Sequence, residues 1–329
     1  MASTAGVVLS IKDSFLALPT KTGDRALEEV EKNISSLRQV LSGDGEAGAN
    51  QEQVLQIALE ICKEGVLSLF VQNLPSLGWG VCRLSTKCVH LCFFIYYYLR
   101  PILIDAQTDV SRWGRASITQ VLNSLALNCS YKKSDLALNC GIMVRECIKH
   151  PTLAKYILES NSFELFFEYV ELPNFDIASD ALNTFKDLLT KHETVVSVYL
   201  SSHYEQFFER YTRILTSTNY VTRRQSVKFL SEFLLEPSNS KIMKRYIQEV
   251  RFLNIMIGLL KDSSKNIKIC AFHVFKVFVA NPNKPPGIIE ALRDNRKELL
   301  KLLHNLPASK GEDELDEERD LIIHRIEKL

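Results

Sequence analysis

Stretches of this 329-residue chain align with one another at a fixed interval of 45 residues, and that period constrains the fold more than any single motif. Ile177 through Leu189 matches Thr222 through Leu234 and Ile267 through Val279. In each stretch a small residue (Ala181, Ser226, Ala271) is followed four positions later by a large one (Phe185, Leu230, Phe275). Further apolar pairs follow: Leu188 and Leu189, Phe233 and Leu234, Phe278 and Val279. Such spacing lines one face of a helix. Cys140, Val144, Cys147 and Ile148 fit the same template 41 residues upstream of Ala181, Phe185, Leu188 and Leu189. The small residue has a packing reason: two helices approach closely only where one side chain is short, and the larger residues then fill the remaining space.

The helix before each of these carries an aromatic-rich stripe of its own: Phe163, Phe166, Phe167 and Val170, then Tyr204, Phe207, Phe208 and Tyr211, then Phe252, Leu253, Met256 and Leu260. Pro151, Pro173, Pro237, Pro282 and Pro285-Pro286 fall between units, where they separate helices. Strands are hardly visible. A period of about 40–47 residues built from two or three helices belongs to HEAT and armadillo arrays. The expectation is an all-α, armadillo/HEAT-like, right-handed helical repeat solenoid.

Charge and composition narrow the function classes. Forty basic residues against thirty-nine acidic ones give a net charge of +1, without the excess that drives sequence-independent binding to phosphate backbones. No nucleic-acid partner is expected. With 46% hydrophobic and 24% charged residues the chain has the apolar surface to build a core, so global disorder is not expected. The first twenty residues lack a basic start, sustained apolar core and small-residue cleavage site, so a cytoplasmic location is expected. The eight cysteines are scattered, and Cys62, Cys92, Cys140, Cys147 and Cys270 stand among apolar neighbours, which suits reduced thiols.

The chain divides into an N-terminal tail over 1–23, N-terminal helical repeats over 24–79, an atypical segment over 80–133, and armadillo-like repeats with C-terminal helices over 134–329. Asp24 to Leu41 and Gln51 to Cys62 predict two helices, separated by a loop bearing Gly43, Gly45 and Gly48. Between Gly80 and Lys133 the repeat signal is lost. Cys82, Cys88, His90 and Cys92 invite a zinc reading, but the paired ligand turns of a zinc site are absent. The apolar run Val89 to Ile104 invites a membrane span, but it contains His90, Arg100 and Pro101 and falls short of the ~20 residues a span needs. The acidic run Glu312 to Glu318 lacks the glycine and oxygen-ligand spacing of an EF-hand calcium loop and predicts the start of a last helix. No metal and no cofactor are expected.

Several stretches resemble the calcium-binding protein 39 family, also called Mo-twenty-five scaffolds. They are Leu136 to Ile148, Phe175 to Ala181, Thr184 to Leu189, Asn219 to Ser226 and Ala271 to Asn283. The resemblance is strong over 134–329, looser over 24–79, and looks closest to plant members. Residues 80–133 depart from it and read as an altered transcript or a faulty gene model. The resemblance implies a curved, non-catalytic rod, a monomer within a heteromeric complex, that binds and allosterically activates protein kinases or pseudokinases of the germinal-centre (Ste-twenty-like) group. Fungal relatives of this kind serve polarity signalling. It further implies that Phe175, Tyr220, Arg224 and Lys228 face the kinase from a concave surface, and that Lys228 and Ile257 belong to a pocket for the partner's tail. Ile257 replaces a methionine of animal members, and Pro237 and Ser240 replace an arginine and a phenylalanine.

The residues support a surface rather than a catalyst. No phosphate-cradling loop, His-Glu-x-x-His, nucleophile elbow or kinase signature occurs. At 100° per residue, Arg224 and Lys228 point away from Ser226, Leu230 and Phe233, one turn apart. Arg145, Lys186 and Lys276 hold related positions in neighbouring units and would extend these two into a basic ladder. The competing class is a general armadillo-type peptide-binding adaptor. Its usual ladder of tryptophans is missing, since Trp79 and Trp113 both lie outside the clear repeats.

Overall fold

The computed structural model describes residues 4–18, 23–42, 56–57, 59–61, 63–73, 134–307 and 313–329, and every regular element among them is helical. They belong to two compact units, Met1–Lys191 and His192–Leu329. The chain is an all-α helical repeat protein.

The first unit contains α1 (Thr4–Ala17), α2 (Gly23–Ser42), α3 (Val66–Asn73), α4 (Ser134–Ile148), α5 (Pro151–Glu159), the single turns α6 (Asn161–Glu164) and α7 (Phe166–Tyr169), and α8 (Phe175–Thr190). Residues 1–23, expected to be a tail, thus hold a helix. Val8, Ile11 and Phe15 of α1 are buried, and the Phe15 ring meets Phe70 of α3 edge-on at 4.9 Å. The reason it escapes a periodicity argument is that Leu9 and Leu16 leave apolar side chains on its exposed side as well. Helix α2 matches the span predicted from Asp24. The helix predicted from Gln51 to Cys62 lies partly outside the described residues, and its helical part covers 56–57 and 59–61. The segment 80–133, with the zinc and membrane readings placed on it, lies outside them too. No helix among the described residues is long and apolar enough to cross a membrane.

Farther along this unit, α4 packs against α8 through the small-to-large template. Cys140, Cys147, Ala181, Phe185, Leu188 and Leu189 are all buried. Phe185 is clasped by Phe163, stacked at 5.6 Å, and by Phe167, edge-on at 5.2 Å. Asn174 starts α8, its side-chain oxygen accepting from the amides of Asp176 and Ile177 at 3.0 and 3.2 Å, which satisfies two of the unpaired donors of a helix start.

The second unit contains α9 (Glu193–Leu215), α10 (Tyr220–Leu235), a 3-10 turn at Pro237–Asn239, α11 (Ser240–Tyr246), α12 (Val250–Leu260), α13 (Lys265–Ala280), α14 (Pro286–Asp294), α15 (Arg296–His304) and α16 (Asp313–Glu327). Helix α9 is two helices joined at a kink: His203 leaves helical geometry at φ −116°, ψ 21°. Its imidazole stacks on Tyr199 at 4.6 Å and reaches the Tyr199 carbonyl at 3.1 Å, filling in where the main-chain ladder breaks. Beyond the kink, Tyr204, Phe207, Phe208 and Tyr211 are buried, as the stripe requires. Helix α10 packs on both α9 and α13, α13 on α12, and α16 covers another side of α13. Ser226 and Ala271, the small residues of the template, are fully buried where these helices meet. The last helix begins in the acidic run, as expected, at Asp313.

Candidate functional site

Helix α10 divides its residues sharply between two faces. Thr222, Ser226, Val227, Phe229, Leu230, Phe233 and Leu234 are buried, whereas Val221, Arg224, Lys228 and Glu232 are exposed. The division comes from the 3.6-residue turn: Arg224 and Lys228 share a side because they are four apart. Among the described residues the Arg224 guanidinium has no hydrogen bond and no ion pair. Lys228 stands 3.8 Å from Glu232, both more than half exposed, and a pair of that kind contributes at most about 1 kcal/mol. Both cations remain available to a partner.

The neighbouring helix α13 shares this surface. Burial pushes the half-buried Cys270 thiol up, Lys228 and Arg224 pull it down and Glu232 raises it, so the sulfur sits in the field of the two α10 cations. Tyr220, the first residue of α10, is 44% exposed, and its hydroxyl lies 3.3 Å from the Ser264 hydroxyl at the start of α13. In the first unit, Phe175 holds the corresponding position as first residue of α8, 45 residues earlier, and is 63% exposed. An aromatic side chain left this open on an ordered helix is of the kind that anchors protein interfaces.

Other predicted site residues fall differently. Ile257 of α12 is only 5% exposed and lies among the buried residues of its helix. Pro237 is exposed at the start of the 3-10 turn and Ser240 opens α11 half-buried.

Two members of the expected basic ladder have ionic partners of their own. Arg145 pairs with Asp180 at 2.8 Å and donates to Thr184 Oγ1 at 2.8 Å, so it joins α4 to α8. Lys276 pairs with Glu318 of α16. Lys186 is half-buried, and its 45-residue equivalent in the next unit is Ser231, which is buried and donates to the Lys228 carbonyl at 2.7 Å. Each unit thus has one expected ladder cation, Arg145 or Lys276, already paired with a carboxylate. Equal spacing along the sequence had suggested a ladder, but carboxylates from other helices consume two of its members.

Two charged clusters had no sequence signal. Arg223, beside Arg224, turns inward and pairs with Asp262 at 2.9 Å. On α9, Glu205 receives Arg245 of α11 at 2.7 Å and Arg251 of α12, while Arg245 lies over the Tyr204 ring at 3.7 Å. The hydrogen bond from Arg251, with those charges, holds the Glu205 carboxyl below its usual range.

The family model described as Mo25-like matches residues 1–329. The chain belongs to the Mo25-like family. It is 40% identical over 320 residues to the degreening-related gene dee76 protein of Auxenochlorella protothecoides, covering 96% of each chain. It is 38% identical over 328 residues to calcium-binding protein 39-like of Homo sapiens, covering 99% of this chain and 94% of that one. An MO25-like protein of Arabidopsis thaliana is 36% identical over 318 residues, covering 96% and 90%. Among the described residues of this Mo25-like chain, no three His, Cys, Asp or Glu side chains are grouped so as to hold a metal ion.

Proposed function

We propose that this Mo25-like chain is a non-catalytic scaffold of the cytoplasm that binds protein kinases or pseudokinases of the Ste-twenty-like group and favours their active conformation. The observation that carries this reading is the exposed pair Arg224 and Lys228 on α10, the first without an ionic partner among the described residues, on the helix whose first residue, Tyr220, is also exposed. Two cations one turn apart suit an acidic or hydrogen-bond-rich face of a folded partner. Phe175 offers an apolar anchor on α8. Within the second unit, packing of α10 on α9 and α13 holds the α10 surface rigid, and a rigid surface binds one conformation of a partner better than another. That difference in affinity is what moves the partner's equilibrium toward the active state. Lys228 would also take part, with Ile257, in holding the partner's tail.

The test is association with the catalytic domain of a Ste-twenty-like kinase, measured by titration calorimetry alongside the kinase's phosphorylation rate. Arg224→Ala with Lys228→Ala should weaken association at least roughly tenfold, the loss of about 1.4 kcal/mol, and lower the activated rate with helix content unchanged. Unaltered affinity in this variant rejects the surface. Failure of the native chain to bind any kinase of the group rejects the function.

A further inference from the structure

The adjacent arginines at the start of α10 have opposite fates, and the inward one ties together the beginnings of two repeat helices. Arg223 Nε donates to Asp262 Oδ2 at 2.9 Å, and Arg223 Nη1 donates to the Ser217 carbonyl. Ser217 lies in the turn that leads into α10, and Asp262 in the turn that leads into α13. The other oxygen of Asp262 accepts from the Ser264 amide at 2.8 Å, which fixes the residue that opens α13. Ser264 makes no side-chain cap of its own helix; its hydroxyl faces Tyr220 instead, at 3.3 Å. The chain of contacts runs from the turn before α10 through Arg223, Asp262 and Ser264, and back to the first residue of α10.

We propose that the Arg223–Asp262 pair is a positioning device for the partner surface, setting how the first turns of α10 and α13 stand against each other and thereby where Tyr220 and Arg224 are presented. The inference rests on the function proposed above. Three features favour positioning over general stabilisation. First, the pair is well shielded, with side chains only 20% and 11% exposed, so solvent screens it less than the surface pairs elsewhere. Second, the repeat does not encode it. The 45-residue equivalents of Arg223 are Ala178 and Lys268, and those of Asp262 are Ser217 and Pro307, so the aligned repeats do not reproduce the pair. Third, it grips the backbone through Ser217 and Ser264 within a few residues of both side chains proposed to touch the partner. Arg223 and Asp262 would make no contact with the partner themselves.

Asp262→Asn is the discriminating variant, because the amide keeps an acceptor for the Ser264 N–H while the ion pair is lost. It should weaken association with the kinase catalytic domain about three- to tenfold, and should speed amide hydrogen exchange in the first turns of α10 and α13 in the free protein. In an Arg224→Ala, Tyr220→Ala background its effect on affinity should shrink below twofold, since the groups it positions are gone. A purely stabilising pair would lower the melting temperature and leave affinity at low temperature untouched. If Arg224→Ala with Lys228→Ala weakens binding while Asp262→Asn does not, the positioning role is overturned and the surface stands. If neither variant weakens binding, the surface itself is overturned and the positioning role falls with it.

Discussion

Tyr211 and Tyr246 are both fully buried in the second unit, yet their hydroxyls are in opposite circumstances. Tyr211 donates to the Ser226 carbonyl at 2.8 Å, joining α9 to α10 where Ser226 Oγ also donates to the Ile214 carbonyl at 3.0 Å. The Tyr246 hydroxyl has no hydrogen-bond partner among the described residues, although its ring stacks on Phe252 at 4.1 Å and on Phe208, tilted, at 5.1 Å. Replacing either residue by Phe keeps the ring and its stacking, so the comparison isolates one oxygen atom. Burial pushes both phenols well up, which keeps them neutral and removes ionisation from the comparison at ordinary pH. Loss of the Tyr211 hydrogen bond should cost about 1 kcal/mol, with more added if the carbonyl it leaves finds no other donor. Removing the Tyr246 hydroxyl takes away a desolvated group that receives nothing in return, so Tyr246→Phe should be neutral or stabilising by up to ~1 kcal/mol. The two variants should differ by roughly 1–2 kcal/mol. Guanidinium unfolding curves with equal slopes measure the difference directly as a shift in midpoint. Equal destabilisation by both substitutions would refute the reasoning, because it would mean that the two hydroxyls are equally satisfied in the folded chain.

Two further outcomes follow from single positions. Gly258 lies inside α12 with nothing within 4 Å of where a Cβ would stand, so Gly258→Ala should raise stability by about 0.5–1 kcal/mol through helix propensity, read from the denaturation midpoint. The Glu205 carboxyl, held below its ordinary pKa chiefly by the hydrogen bond from Arg251, contributes stability that is fully present above the unfolded value and is lost as pH falls through the depressed folded value. In Glu205→Gln the melting temperature should therefore fall relative to the native chain near neutral pH, and the gap should close below about pH 4. A gap that persists there would assign the loss to packing.

The helices and their buried faces were legible in the sequence because both arise from neighbours three and four residues apart. Ala181, Ser226 and Ala271 with their large partners are buried as the 45-residue template requires, and α2 and α16 begin near where the polarity pattern changes. Helix α1 was missed for the same physical reason in reverse: with Leu9 and Leu16 on its open side, its polarity hardly changes around the axis. The family was legible too, from the stretches around Leu136, Phe175, Asn219 and Ala271.

Which cations remain free to meet a partner is a different kind of question, and the tertiary structure alone answers it. Arg145 and Lys276 were expected to extend the row begun by Arg224 and Lys228, yet their carboxylates come from 35 and 42 residues away, at Asp180 and Glu318. Arg223 and Arg224 are adjacent and chemically identical; one is locked to Asp262, 39 residues on, and the other faces outward. Periodicity is a local property of the backbone and can be counted in the sequence. Ion pairing needs two groups within about 4 Å, and that distance is set only when separate helices have packed.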